Sequence, residues 1–329
     1  MTDLLDFSED DIEIMLANID AFSDEEIAEI DRMVDELNSR TVNKAAYEDL
    51  ISFCQLMMPD FIVGRHHRIL ADMLMAIECG EKDRVCVNIP PRHGKSQLVS
   101  IFYPAWFLGR NPNKKVMMVS HTTDLAVDFG RKVRNIIATD TYRSVFPTVT
   151  LAQDSKSAGR WNTNVGGEYY ACGIGSALAG RGADLLLVDD PHSEQDVING
   201  NFGVFEKAYE WFTFGARTRL MPGGRVAIIQ TRWHLDDLTG RVTRDMAKNE
   251  RSDQYEVVEF PAILDVERKD PETGTTAFVQ KPLWPEFFDL EALLRTKASM
   301  PVFQWNSQYQ QQPTTEEAAL VKREWWNEW

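Results

Sequence analysis

Cysteine is scarce in this sequence, and no apolar run is long enough to cross a membrane. The 329 residues include four cysteines, none of them in a CxxC pair. This spacing argues against a zinc site or a disulfide framework. No apolar stretch approaches the ~20 residues of a membrane helix, and the first residues lack the basic-then-apolar order of a signal peptide. We therefore expect an intracellular protein with no membrane partner.

Basic residues are scarce at the start of the chain. Residues 1–36 contain fourteen acidic residues and one basic residue, Arg32, so most of the net charge of −16 lies in this segment. The rest of the chain is close to neutral, and charge alone neither indicates nor excludes a nucleic-acid partner. Acids that follow Ser8 and Ser23 predict two short helices. We interpret residues 1–43 as an acidic helical arm that packs on the body or docks a partner.

The clearest functional signal is a short run of glycine, lysine and serine. The β-branched run Val85–Ile89 predicts a buried strand, and a helix is predicted to begin at Gly94. Such a turn directs backbone N–H groups at phosphate oxygens, and Lys95 can reach the same phosphates. The Ser96 hydroxyl is the expected Mg²⁺ ligand. The sequence therefore predicts an ATP site, although Ile89 stands where the usual pattern has its first glycine.

The predicted nucleotide contacts extend beyond these three residues. A helix predicted upstream of the first strand begins near Arg65, where motor ATPases often read the adenine. A surface helix start is the equally weighted alternative. His67 is a further candidate for the adenine contact. The residues predicted to bind the nucleotide are Arg65, His66, Pro91, Arg92, His93, Gly94, Lys95, Ser96 and Gln97.

After the loop, predicted strands and helices alternate. A strand at 115–120, a helix at 124–138, a hairpin at 161–172 and a strand ending in Asp189 and Asp190 predict a doubly wound, mainly parallel α/β sheet. Ligands of such sheets bind at the carboxyl ends of the strands. Asp189 is therefore expected to hold Mg²⁺, and Asp190 to orient or deprotonate the attacking water. The second acid of such motors is commonly Glu, which is one methylene longer.

A further predicted strand, 225–230, ends in polar residues next to the acid-bearing strand. At this position Gln230 and Thr231 are candidates for sensing the γ-phosphate and coupling hydrolysis to motion. A histidine and two aspartates follow within residues 234–237. Their spacing converges poorly on one ion, so we do not expect a metal cluster there.

Prolines interrupt the pattern in the last quarter of the chain. Only a short strand at 257–260 and a helix at 290–297 are predicted in this part. We interpret residues 44–254 as a P-loop ATPase core, residues 255–312 as a lid or connector, and residues 313–329 as a linker.

Four blocks in this order resemble the large subunit of tailed-phage DNA-packaging terminases, specifically its N-terminal ATPase domain. The blocks are IPPRHGKS, GRGADLLLVDDPH, QTRWHLDDL and WNSQYQQQP. That family tolerates a loop without the first glycine and, in some members, an aspartate pair at the end of the acid strand. The resemblance covers most of residues 45–329 and implies a P-loop ATPase fold of the ASCE type.

The resemblance also implies a role for each matching residue. Lys95 and Ser96 would bind phosphate and Mg²⁺, Asp189 the metal and Asp190 the water, with Thr231 in the coupling motif. Arginines of two kinds are implied in addition, and the match leaves open which residue acts in trans. The candidates are Arg92 as the cis arginine, and Arg134 or Arg181 as the arginine supplied to a neighbouring subunit.

Several partners follow from the same resemblance. Family members form rings, usually taken as pentamers, on the portal protein of a procapsid in the host cytoplasm and drive double-stranded viral DNA inward with ATP. The small terminase subunit is a further implied partner. Full-length members continue into a nuclease domain whose metal-binding acids are not visible here, so we expect no DNA cleavage. The alternatives are a nucleotide-controlled docking module and a helicase-type ATPase.

Overall fold

The computed structural model describes residues 22–155, 157–198, 200–269 and 276–314. At its centre lies a sheet of seven strands. In chain order these are β1 (Arg84–Asn88), β2 (Lys115–Ser120), β3 (Arg160–Asn162), β4 (Glu168–Gly173), β5 (Ala183–Asp189), β6 (Leu220–Gln230) and β7 (Glu256–Glu259). Their order across the sheet is β3-β4-β2-β5-β6-β1-β7, and every neighbouring pair is parallel except β3 and β4. The predicted fold class is confirmed.

Helices cover the sheet and form the N-terminal part of the described chain. They are α1 (Asp24–Glu48), α2 (Leu50–Met57), α3 (Arg65–Cys79), α4 (Tyr103–Arg110), α5 (Thr123–Ile137), α6 (Asp140–Val145), α7 (Glu194–Ile198), α8 (Gly203–Glu210), α9 (Leu238–Lys248), α10 (Leu290–Ala298) and α11 (Val302–Gln308). Two wider π-helical turns, Gln97–Phe102 and Trp211–Ala216, precede α4 and follow α8, and the second leads into a 3₁₀ turn, Arg217–Arg219.

The sheet is buried on both faces because successive side chains of its central strands enter two different cores. Leu185 and Leu187 of β5 pack in the core on one face, and Leu186 and Val188 pack in the core on the other. Strands buried on both sides are typically continuous apolar runs. This is why the run before Asp189 predicted a central strand correctly.

The N-terminal arm is one long helix where the structure describes it. Helix α1 begins with a reciprocal cap between Ser23 and Glu26, and it continues without a break through residue 43, where the arm was predicted to end. A second cap, at Asp49, starts α2. The first predicted arm helix, at Ser8, lies outside the described residues.

The last part of the chain contains more regular structure than the sequence predicted. A hairpin of β8 (Ile263–Lys269) and β9 (Thr276–Pro282) precedes α10, and α11 follows it. We keep the name lid for residues 262–269 and 276–312, which pack around a small core of their own, composed of Ala262, Ile263, Leu293 and Trp305. Strand β7, predicted within the same region, is instead an edge strand of the main sheet.

All four cysteines are free thiols; Cys79 is exposed and the other three are buried. Among the described helices, none is both long enough and apolar enough to span a bilayer.

Candidate nucleotide-binding site

The phosphate loop follows β1 and leads into the π-helical turn before α4. Gly94 has a φ of +76°, which side chains other than glycine rarely adopt. A Cβ at this position would also lie 2.3 Å from Nε2 of His67. Arg92 adopts a φ of +64°, and such backbone strain in non-glycine residues is concentrated at functional sites. The loop therefore has the tight, strained geometry of a phosphate cradle.

Two histidines from the start of α3 support this loop from below. Nε2 of His66 and Nε2 of His67 each lie 3.0 Å from the carbonyl oxygen of His93. A carbonyl only accepts, so both rings must carry their proton on Nε2. His67 Nδ1 in turn accepts from the backbone N–H of Gly64 at 3.0 Å, which fits that tautomer. The pair fixes the peptide that connects His93 to Gly94.

The lysine of the loop and the acids of β5, almost a hundred residues apart in sequence, meet at the carboxyl edge of the sheet. Lys95 Nζ lies 2.6 Å from Asp190 Oδ2. Burial lowers the pKa of Lys95, but the charges of Asp190 and Asp189 together outweigh burial, and the pKa is raised. The lysine therefore stays charged in a site that excludes most water. This contact assembles the lysine and the acid pair that the sequence predicted as two halves of one site.

Asp189 is buried and only partly satisfied. Its Oδ2 accepts from the Ser100 hydroxyl at 2.6 Å, whereas its Oδ1 has no hydrogen-bond partner among the described residues. Burial, followed by the negative charge of Asp190, raises the pKa of Asp189 to about 6, against the opposing effects of Lys95, Ser100 and Ser96. An unpartnered buried carboxylate oxygen close to the Ser96 hydroxyl fits a hard divalent cation such as Mg²⁺.

Asp190 joins the acid strand to its neighbours in the sheet. It has a φ of +44°, and its Oδ1 accepts from the backbone N–H of Thr231 at 2.9 Å. The Thr231 hydroxyl donates to the carbonyl of Ile89 at 3.0 Å, next to the phosphate loop. Gln230 is buried, and within the described part of the chain both polar atoms of its amide lack a hydrogen-bond partner. The two predicted coupling residues therefore lie between the acid strand and the loop strand, one bonded to both and one with unused polar atoms.

The next residue connects this edge of the sheet to the lid. The backbone N–H of Arg232 donates to Gln311 Oε1 at 3.1 Å, and its carbonyl accepts from the Ser307 hydroxyl at 3.0 Å. The Arg232 guanidinium pairs with the fully buried Asp237 at 2.8 Å. These contacts were not predicted, because Ser307 and Gln311 lie about 75–80 residues from Arg232 in sequence and no local pattern indicates that the two segments meet.

The histidine and aspartates of residues 234–237 have structural roles. Asp237 caps α9 by accepting from the N–H of Gly240 at 2.9 Å, and His234 Nδ1 accepts from the N–H of Asp236 at 3.0 Å. Within the described residues no group of three or more His, Cys, Asp or Glu side chains could hold a metal ion.

The three arginine candidates lie in different places. Arg92 is exposed on the phosphate loop. Arg134 lies near the end of α5, roughly 16 Å along that helix from its start beside the loop edge. Arg181 precedes β5, at the opposite edge of the sheet, where it pairs with Glu168 at 3.3 Å and stacks over Tyr170. Arg92 is thus the only one of the three on its own subunit's loop, and a trans role for the other two remains a prediction.

The residues predicted to contact adenine differ in how exposed they are. Arg65 is exposed at the start of α3, whereas His66 and His67 are fully buried beneath the loop. Their side chains offer no free surface to a base, so their observed role is to support the loop. An adenine contact by Arg65 remains a prediction.

A cavity of roughly 700 Å³ opens over the loop. One side consists of Arg92 and the loop residues 94–97. The other side consists of aromatic side chains that the sequence analysis did not select, namely Phe61, Trp284, Phe287 and Phe288. Three of the four lie in a local cluster of aromatics at 284–288, far from the loop in sequence. Pro91 and His93 contribute differently, through a bond from His93 Nδ1–H to the Pro91 carbonyl at 2.9 Å.

Buried histidines make the site sensitive to acid. Burial lowers the pKa of four imidazoles from 6.5 to about 4, namely His66, His67, His93 and His192. The unfolded chain binds these protons near pH 6.5 and the folded chain only near pH 4, so stability falls as the pH falls through this window. The raised pKa of Asp189 acts in the opposite direction, because it favours the folded state below about pH 4 and loses that effect as the pH rises through 6. The effect of the four histidines on the free energy of unfolding is larger than the opposing effect of the Asp189 carboxyl group.

We therefore expect a lower free energy of unfolding at pH 5 than at pH 7, measured by urea denaturation. His67→Gln should reduce this difference, since glutamine can accept from Gly64 and donate to the His93 carbonyl without titrating. A pH difference of the same size in the variant would contradict the role assigned to His67.

The geometry defines a class of protein: a P-loop nucleotide-binding fold, in which a parallel α/β sheet brings a lysine-bearing loop next to an acid-ending strand. More narrowly, the fold is similar to that of the large terminase of bacteriophage HK97. This confirms the resemblance seen in the sequence at the level of the fold.

Solved structures show how far this likeness extends. The large terminase of bacteriophage HK97 matches 82% of this chain with a TM-score of 0.50 and 14% identity, and the match spans 57% of the HK97 chain. The ATPase domain of the Thermus phage P74-26 large terminase matches 73% of this chain and 92% of its own, with a TM-score of 0.45 and 16% identity. The phage D6E large terminase, solved with ATP-γ-S, has a TM-score of 0.42 and 9% identity over 74% of this chain and 51% of its own. No protein-family model and no curated protein matches the sequence.

Proposed function

We propose that this chain is the ATP-hydrolysing motor of a phage large terminase and drives double-stranded viral DNA into a procapsid. The observation that carries this proposal is the 2.6 Å contact between Lys95 and Asp190, beside the buried Asp189. In a parallel sheet, a loop lysine and a strand-end acid pair meet in this way where a triphosphate binds.

The residues around this contact have different roles in binding the nucleotide. Lys95 and the backbone of the loop bind the phosphates, and Ser96 with Asp189 would hold Mg²⁺. The ion would neutralise charge on the phosphates. Exclusion of water strengthens each of these interactions, because Lys95 and Asp189 are both buried.

Nucleotide binding changes the partner of Asp190. Its carboxylate is paired with Lys95 in this structure. Phosphate oxygens compete for the same ammonium group, and their binding leaves Asp190 available to orient or deprotonate water. The bond from the Thr231 N–H keeps the carboxylate at the edge of the sheet during this exchange.

The same residue transmits the change to the lid. A shift of Asp190 acts on Thr231 directly, and the adjacent Arg232 is bonded through its backbone to Ser307 and Gln311. The coupling role proposed for Thr231 therefore has a direct route to the lid. Gln230, whose amide bonds to none of the residues that the structure describes, is the proposed sensor of the γ-phosphate.

In the proposed motor, several copies of this chain assemble and a neighbouring subunit contributes an arginine to the site. We infer a homo-oligomeric ring on the portal protein, with the small terminase subunit as a further partner. Arg92 is the proposed cis arginine. An arginine from a neighbouring subunit, Arg134 or Arg181, would complete the site, since each lies far along the sheet from its own loop.

Asp190→Asn tests the hydrolytic role. Asparagine keeps the shape and the acceptor for the Thr231 N–H but cannot take a proton, so we expect ATP still to bind and single-turnover hydrolysis to slow about a hundredfold. The matched control is Asp184→Asn, at the start of the same strand, where Asp184 pairs with Lys114 at 3.0 Å. This control should hydrolyse ATP at the wild-type rate.

A nucleotide-controlled docking module is the second candidate. It is favoured by the pairing of Asp190 with Lys95 and by the shorter side chain of the second acid. Equal single-turnover rates for the wild type and Asp190→Asn would support this candidate and contradict the motor.

A further inference from the structure

The cavity over the phosphate loop is larger than phosphates require. Its volume of roughly 700 Å³ lies within the usual range of sites that enclose a whole small molecule, about 300–1,000 Å³. Loop residues account for one side only. The remaining space is bounded by the four aromatic side chains Phe61, Trp284, Phe287 and Phe288.

Phe287 is the most accessible member of this aromatic wall. Its side chain is 54% exposed although it is large and apolar. The ring stacks on Trp284 with centroids 4.5 Å apart and an angle of 18° between the planes. Phe288 meets it edge to face at 4.9 Å. The neighbours hold Phe287 in place while half of its surface remains open.

The wall is fixed directly to the phosphate loop. The Trp284 ring lies 4.8 Å from His67, and the Phe288 ring lies 5.1 Å from His93. His67 supports the loop through its bond to the His93 carbonyl. A planar group on Phe287 would therefore lie at a defined distance from phosphates bound at Lys95.

The chemistry of the wall determines what it can recognise. It carries one polar atom, Nε1 of Trp284, and that atom is buried away from the cavity surface. A wall without accessible donors or acceptors binds a planar ring by stacking and does not read its edges. Every nucleobase has such a face, and stacking is therefore tolerant of base identity.

We propose that the base of the bound nucleotide stacks on Phe287, so that the lid supplies the base subsite and tolerates adenine and guanine alike. This inference rests on the proposed nucleotide site. It replaces the predicted contact with His66, which is buried. A nucleotide bound in this way bridges the loop and the lid.

The test measures affinity by calorimetry on the full chain with Mg²⁺ present. The ligands are the non-hydrolysable analogues AMP-PNP and GMP-PNP, and tripolyphosphate, which has no base. Phe287→Ala should weaken both analogues about tenfold, as loss of one aromatic–base stack does. The affinity for tripolyphosphate should not change. Phe287→Tyr should restore the binding of both analogues.

Phe278→Ala is the matched control. Phe278 lies on β9 in the same lid and is 69% exposed, but it does not line the cavity. This variant should bind all three ligands like the wild type. Equal thermal midpoints of both alanine variants would show that folding is intact, which the exposure of both side chains predicts.

Two results would overturn the base subsite: unchanged analogue affinity in Phe287→Ala, or an equal loss for tripolyphosphate. Lys95→Ala in the same assay separates this from failure of the proposed function. If Lys95→Ala weakens all three ligands while Phe287→Ala is neutral, the phosphate site stands and only the base subsite is wrong. If Lys95→Ala changes nothing, the nucleotide site itself is wrong.

Discussion

Replacing Lys95 with alanine is expected to lower kcat/KM for ATP by about a thousandfold or more. Loss of one preorganised donor to developing charge typically costs about 10²–10³ in rate. Here the loss is larger, because the ammonium also offsets the negative charge of two carboxylates, Asp190 in direct contact and Asp189 beside it. Without it, Asp189 and Asp190 would face incoming phosphates with no intervening positive charge. Both binding and the chemical step should suffer.

Lys114→Ala is the control for this variant. Lys114 also pairs with an aspartate, Asp184, but it is exposed and lies at the opposite edge of the sheet. Steady-state hydrolysis with DNA and portal protein present should distinguish the two. If the assembled Lys95→Ala protein turned over ATP at the wild-type rate, the phosphates would have to bind elsewhere.

Gly94→Ala is expected to disable the site by moving the backbone of the loop. Alanine at a φ of +76° costs about 1–2 kcal/mol, and its Cβ would lie 2.3 Å from His67 Nε2. His67 cannot withdraw without losing its bond to the His93 carbonyl. A misplacement of the loop by about 1 Å can cost a hundredfold in rate. Because ATP binding should weaken as well, we expect kcat/KM for ATP to fall about a thousandfold.

Gly223→Ala separates the cost of the positive φ from the cost of the contact with His67. Gly223 has nearly the same φ, +75°, but nothing lies within 4 Å of an added Cβ. The free energy of unfolding of the Gly223→Ala variant should fall by about 1–2 kcal/mol, with ATP hydrolysis unchanged. Equal losses of activity in both variants would mean that the contact with His67 is irrelevant to the loop. Urea denaturation and ATP turnover, measured on the same samples, decide this.

The sheet was predictable from sequence because its central strands are unambiguous. An apolar run that is buried on both faces, such as 185–188, has few alternatives. Strands β8 and β9 were missed for the opposite reason. They pair only with each other and carry many polar residues, so neither a run nor a clear alternation indicates them.

The residues of the candidate site also differ in how far the sequence predicts them. Lys95 and Asp189 follow from local motifs, because the residue types and the strand and helix beside them carry the chemistry. The aromatic wall and the lid contacts of Arg232 depend on how distant segments meet. Phe287 lies almost two hundred residues from the loop in sequence. Local patterns contain no information about such a pairing.

The attachment of the lid to Arg232 has a mechanical consequence. Both bonds use main-chain atoms, one the N–H and one the carbonyl, and the preceding peptide unit carries the N–H of Thr231 that meets Asp190. Peptide units are planar and stiff. On the strand side, the proposed route from Asp190 to the lid therefore runs through main-chain atoms and does not depend on the rotation of the Arg232 side chain.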